Sequence, residues 1–149
     1  MKIFLAADHA GFELKEKIKK YLLDKNYETE DCGAFEFKSD DDYPDFVEKA
    51  ALKAVQNNHS FAIVFGKSGT GEAIVANKIN GIRAVVGLNT EIIKLAREHN
   101  NANVLSLGSS FADTKKAKGL IELFLNTPFL NEERHIRRIK KITEIEKRN

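Results

Sequence analysis

Four short runs are apolar almost throughout and show no alternation: KIFLAAD at 2–8, FAIVFG at 61–66, RAVVGL at 83–88 and NVLSLG at 103–108. A strand wet on one face alternates, so runs of this kind call for strands covered on both faces. YETEDCG at 27–33 is a fifth, more polar run. Between the runs lie segments of helical period, with Leu14, Ile18, Tyr21 and Leu22 on one stripe and Leu120, Ile121, Phe124 and Leu125 on another. Strand and helix alternate along the chain. That order predicts a doubly wound α/β domain with flanking helices and about five parallel strands, and ligands of such sheets bind at the carboxyl ends of the strands.

A chain of 149 residues buries a core without disulfides or metal, and with no linker or repeat we expect one domain over 1–149. Lys plus Arg number 24 against 22 acids, a formal charge of +2. So even a balance gives no general field for nucleic acid or an acidic membrane, and any basic function must be local. A lone cysteine, Cys32, excludes an internal disulfide and a multi-thiol zinc site, which suits a reducing cytoplasm. The run IFLAA stops at Asp8, too short for a signal-peptide core, and no window approaches the ~20 apolar residues of a membrane span. The expectation is a soluble protein made as written. The two prolines, Pro44 and Pro128, mark a helix start and the boundary before a C-terminal helix expected over about 131–147. That helix places Ile136, Ile139, Ile142 and Ile145 three apart, an apolar stripe for its own domain or a partner subunit.

FGKSGTGEA at 65–73 follows one apolar run directly and leads into the helical EAIVANK. Gly66, Gly69 and Gly71 free backbone N–H groups at a helix N-terminus, a setting that favours an anion. Lys67, Ser68 and Thr70 add a cation and two hydroxyls. The loop is not a P-loop, because Phe61 stands where its first glycine belongs, nor a dinucleotide fingerprint, because Ile74 takes the third glycine position. Glu72 competes with any anion held there. It either complements the helix dipole or serves as a general base beside an oxyanion that forms only during reaction.

Other polar residues sit at comparable places. Asp8 and His9 end the first apolar run in AADHAG, and His99 and Asn100 end the helix TEIIKLAREHN. Each histidine taken singly suits a surface or capping role as well as a catalytic one. Asp41 and Asp42 could hold a cation, but no third ligand stands at metal spacing, and we expect no metal. Arg134 and Arg138 lie one helical turn apart, either as a solvated basic face or as two forks converging on one phosphate.

Together, AADHAGFELK, DDYPDF, GKSGTGEAIVANKINGIRAVV, REHNNANVLSLGS and ERHIRRI closely resemble type B ribose-5-phosphate isomerases, in the family that also holds the galactose-6-phosphate isomerase subunits. The five blocks stand in family order, and the resemblance runs from about residue 2 to 145. The resemblance implies a Rossmann-like five-stranded parallel sheet and a homodimer or dimer of dimers whose subunits share active sites. It also implies cofactor-free isomerisation of ribose 5-phosphate and ribulose 5-phosphate. By position, it gives the loop at Ser68, Gly69 and Gly71 the enediolate, Ser68 proton handling, Asp8 and His9 the sugar and phosphate pocket, and Tyr43 a place near the substrate. His99 would open the furanose ring and Asn100 hold the developing oxyanion, both reaching in from the partner chain, while Arg134 and Arg138 hold the phosphate.

Two positions depart from parts of that family. One branch carries a cysteine base where this chain has Gly66; the other has glycine there and a glutamate six residues on, as Glu72 is here. Ser110 stands where many members place a phosphate arginine, and Lys67 or Arg137 are candidates to replace it. The resemblance implies that Glu72 takes the C2 proton. Isomerisation of galactose 6-phosphate or allose 6-phosphate is the nearest alternative. A phospho-receiver module would need an aspartate where the third run ends in Phe65 and Gly66, and a nucleotide-binding regulator is disfavoured by the failed phosphate motifs.

Overall fold

A computed structural model describes residues 1–148. Its elements in chain order are β1 (Lys2–Ala7), α1 (His9–Asp24), β2 (Glu28–Asp31), α2 (Pro44–Gln56), β3 (Ser60–Gly66), α3 (Thr70–Ala76), β4 (Ala84–Val86), α4 (Thr90–Asn100), β5 (Val104–Gly108), α5 (Thr114–Asn126) and α6 (Glu133–Glu146). All five expected runs form strands. They pair in parallel in the order β2-β1-β3-β5-β4.

Alternate residues of each strand feed two apolar layers. Ile3, Leu5, Ile63, Phe65, Leu105 and Leu107 meet Leu14, Ile18 and Leu22 of α1, Ile93 of α4 and Leu120, Ile121 and Phe124 of α5. Phe4, Ala6, Ala62, Val64 and Val104 face Val47, Ala50, Ala51 and Ala54 of α2 and Ala76 of α3. The central strands are therefore covered on both faces, which is why they lack alternation. Helix starts follow local chemistry: Asp8 accepts from the amides of Ala10 and Gly11, Asn89 from Ile92, Asp113 from Lys116, and Pro44 opens α2.

One expectation needs correction. RAVVGL forms β4, an edge strand whose three residues are only half-buried, because no element of the chain lies beyond it. The isoleucine stripe of α6 does not bury within the chain. Ile136, Ile142 and Ile145 stay 49%, 41% and 49% exposed, and the only buried residue of α6 is His135. Residues spaced by three rotate steadily around a 3.6-residue helix, so four isoleucines cannot share one narrow seam. None of the described helices is long and apolar enough to cross a membrane.

Candidate active site

Strand order reverses between β1 and β3, and the chain leaves these neighbours in opposite directions. The crevice beyond their carboxyl ends is where an open parallel sheet can admit a ligand. Asp8 and His9 enter it from β1, and the loop from Gly66 with α3 enters from β3.

Glu72 lies in the first turn of α3 and is 4% exposed. A Cβ on Gly66 would stand 1.8 Å from Glu72 Oε1, so the carboxylate fills the space a side chain at 66 would need. Burial pushes the Glu72 carboxyl above its ordinary range; its own amide opposes this, and the Asp8 charge adds to it. Gly69 adopts the left-handed conformation at φ 81° just before α3, which a side chain would strain. Its carbonyl accepts from Ser106 Oγ at 2.6 Å, which fixes the loop to β5. The amides of Ser68, Gly69 and Gly71 donate to no acceptor among the described residues, while Ser68 Oγ and Thr70 Oγ1 pair at 2.6 Å. Tyr43 closes the other side: a Cβ on Gly71 would lie 2.8 Å from its ring.

The β2–α2 connection supplies a clasp for His9. Asp41 Oδ1 accepts from the His9 amide at 2.8 Å and pairs with His9 Nδ1 at 2.7 Å, and Phe37 meets the imidazole edge-on. The Asp41 hydrogen bond raises the His9 pKa, burial opposes it, and the Asp8 charge assists. Metal-ligating atoms of Asp8, His9 and Asp41 lie within 4.8 Å of one another, so Asp41 does gain neighbours at metal spacing. Asp8 Oδ1 and Asp41 Oδ1 are, however, already used by N–H donors of the chain. Asp42 is not part of the group.

The other expected residues lie elsewhere in the chain. Helix α4 runs antiparallel to the strands, so its end carries His99 and Asn100 to the amino edge of the sheet, opposite Glu72. The Arg83 guanidinium, just before β4, donates to the carbonyls of Asn100 and Asn101 there. His99 stacks on His135 of α6, with ring centroids 4.3 Å apart and planes 13° from parallel. Arg134 and Arg138 flank His135, both exposed, with Arg134 Nε 2.7 Å from Glu132. A cavity of about 720 Å³ opens at Asn100, lined by Arg83, Asn100, Ile142 and Ile145 among others. The expected residues thus fall into two groups at opposite ends of the sheet.

Exposed Lys67 leaves the glycine loop, and its carbonyl accepts from the Ser110 amide at 3.0 Å. Lys67 and Ser110 are therefore adjacent. Burial raises the Cys32 thiol to about 11, which makes it a poor base.

The ribose/galactose isomerase family profile matches residues 3–142. The chain belongs to the ribose/galactose isomerase family. Ribose-5-phosphate isomerase B of Mycolicibacterium paratuberculosis is 42% identical over 147 residues, 99% of this chain and 92% of the relative. A ribose 5-phosphate isomerase from Thermotoga maritima superposes with TM-score 0.91 at 44% identity, covering 96% of this chain and 97% of that one. The Mycoplasma genitalium isomerase B with bound ribulose-5-phosphate superposes with TM-score 0.93 at 36% identity over 99% and 97%. The family's five-stranded parallel sheet is the fold found here.

Three contacts were not expected from the sequence: the Asp41 clasp on His9, the Ser106 tether on the glycine loop and the stack of His135 on His99. Asp41 was visible only as one of three consecutive acids, and Ser106 interrupts an otherwise apolar strand. That interruption was the available signal.

Proposed function

We propose that the chain interconverts ribose 5-phosphate and ribulose 5-phosphate through an enediolate, without a cofactor. The observation that carries this reading is the buried Glu72 carboxylate over Gly66, beside amides with no acceptor among the described residues, at the reversal point of the sheet. A base and an oxyanion hole in one loop are what proton transfer next to a carbonyl requires.

His99 protonates the ring oxygen as the C1–O4 bond breaks and the C1 hydroxyl loses its proton, giving the open aldehyde, with Asn100 at the developing oxyanion. Glu72 takes the C2 proton. The amides of Ser68, Gly69 and Gly71 hold the charge on the enediolate oxygens, Ser68 handles the hydroxyl proton, and the proton on Glu72 returns at C1. Asp8, His9, Thr70 and Tyr43 shape the sugar pocket. Arg134 and Arg138 bind the phosphate, whose binding energy sets the carbon under the base. Since His99 and Glu72 occupy opposite ends of one sheet, the site closes only between two chains, in a homodimer or a dimer of dimers. The reading extends to a single catalytic domain over 1–149 working in the cytoplasm.

A hexose 6-phosphate is the second reading, favoured by Ser110 beside Lys67 where the phosphate pocket departs from the family pattern. A coupled assay offering ribose 5-phosphate, allose 6-phosphate and galactose 6-phosphate separates the two. Turnover of none of them by the purified protein overturns both.

A further inference from the structure

His135 is the only buried residue of α6, 2% exposed, and its Nε2 is enclosed without a hydrogen-bond partner among the described residues. The Glu132 carboxylate, with Oε2 3.8 Å away, is beyond hydrogen-bond reach. An enclosed nitrogen left unpaired is destabilising, and an aliphatic side chain at this position would avoid that cost. What the imidazole provides instead is a flat face. It lies parallel to the ring of His99 at 4.3 Å, so the plane of His99 is set by a residue on another helix.

We infer that His135 is a positioning residue for His99: its stacked ring holds the His99 imidazole in the orientation needed at the furanose oxygen. This rests on the ring-opening role given to His99 above. The same ring anchors the first turn of α6, so the arginines at 134 and 138 are placed by the joint that aims His99. Charged and titratable groups around the joint are Glu132 just before α6, Arg134 and Arg138 on α6 and His99 on α4. Burial lowers the pKa of His135, and the neighbouring His99 and Arg134 act in the same direction. His135 is therefore neutral at pH 7 and stacks on His99 as an uncharged ring.

The test compares His135→Phe, which keeps a flat ring, with His135→Leu, which fills the space without one. Both remove the unpaired nitrogen, so neither relies on a costly buried polar group to fold. Net isomerisation is followed by coupled assay, and solvent-deuterium incorporation at C1 of ribulose 5-phosphate is followed by NMR. This ketose is acyclic, because its C5 oxygen carries the phosphate, so its exchange needs Glu72 and the phosphate site but no ring opening. We expect His135→Leu to lose roughly 10- to 100-fold in kcat/KM for isomerisation, as a misaligned catalytic group does, while keeping ketose exchange within about threefold. His135→Phe should retain isomerisation within about threefold of wild type. Equal isomerisation by the Leu and Phe variants overturns the stacking role, and so does parallel loss of exchange in His135→Leu, which would mean damage to the phosphate helix. His99→Ala is the control for the underlying reading. Loss of ketose exchange there, or no loss of isomerisation, overturns the ring-opening role of His99 itself.

Discussion

Glu72, the base of the proposed reaction, is costly to the fold. Its carboxyl is raised by burial, so the folded chain holds that proton more tightly than the unfolded chain does. Stability from this group falls as pH rises from the unfolded pKa through the folded one, and the penalty is complete only above the folded value. Glu72→Gln is therefore expected to melt higher than wild type at pH 7, by ~2–4 °C for each kcal/mol relieved, while isomerisation falls roughly 10²- to 10⁴-fold. Calorimetry and the coupled assay read the two effects, and near-normal turnover sinks the assignment. Since only the ionised carboxylate accepts a proton, the acid limb of kcat/KM should lie above pH 4.5, the ordinary value for the group. Gly66 provides an independent check. Its φ is not in the left-handed region, so alanine suits the backbone, but the new methyl would occupy the place of Oε1. Gly66→Ala should fold and lose at least about 100-fold in kcat, as expected when a general base is displaced.

Among the elements, the β2–α2 connection depends on a buried cation. Lys15 of α1 is fully enclosed and donates from Nζ at 2.7 Å to both oxygens of Asp31 and to the Ala34 carbonyl. Burial pushes the Asp31 carboxyl up, but the hydrogen bonds from Lys15 and Lys19 outweigh it and the net shift is downward. That contribution is full above the unfolded pKa and lost as pH falls through the lower folded value, so it is felt in acid, below about pH 4. Lys15→Ala should cost about 3 kcal/mol in urea unfolding, the low end for a broken buried pair because Lys19 remains on Asp31. The sequence did not disclose this lysine, since it sits on the apolar stripe of α1 as one charge among many. Five strands and the helices between them were legible because period and breaker residues act locally. β4 read as fully covered and is an edge strand, because position in the sheet depends on pairings remote in sequence. The glycine loop was legible from the order of its residues, but the His99–His135 stack joins residues 36 apart on two helices.

At the scale of the whole molecule, the proposed shared site makes a prediction that no single-chain site allows. Glu72→Gln keeps a working His99, and His99→Ala keeps a working Glu72. Mixing the two inactive proteins under conditions of subunit exchange should form mixed dimers in which one site joins both intact residues. Random pairing makes half the dimers mixed, each with one good site of two, so activity should return to roughly a quarter of wild type. No recovery after exchange, checked by native mass spectrometry, would place the whole reaction in one chain. The half-buried β4 edge and the exposed isoleucines of α6 provide apolar surface for such pairing.

The contact between Glu72 and Gly66 also bears on how a catalyst of this kind can change. One small volume above the end of β3 admits either the glutamate's oxygens or a side chain borne on residue 66. A history that exchanges one base for the other therefore has no intermediate in which both are seated. The first substitution silences the old base before the new one is supported, which leaves the two chemistries on separate peaks joined by an inactive step.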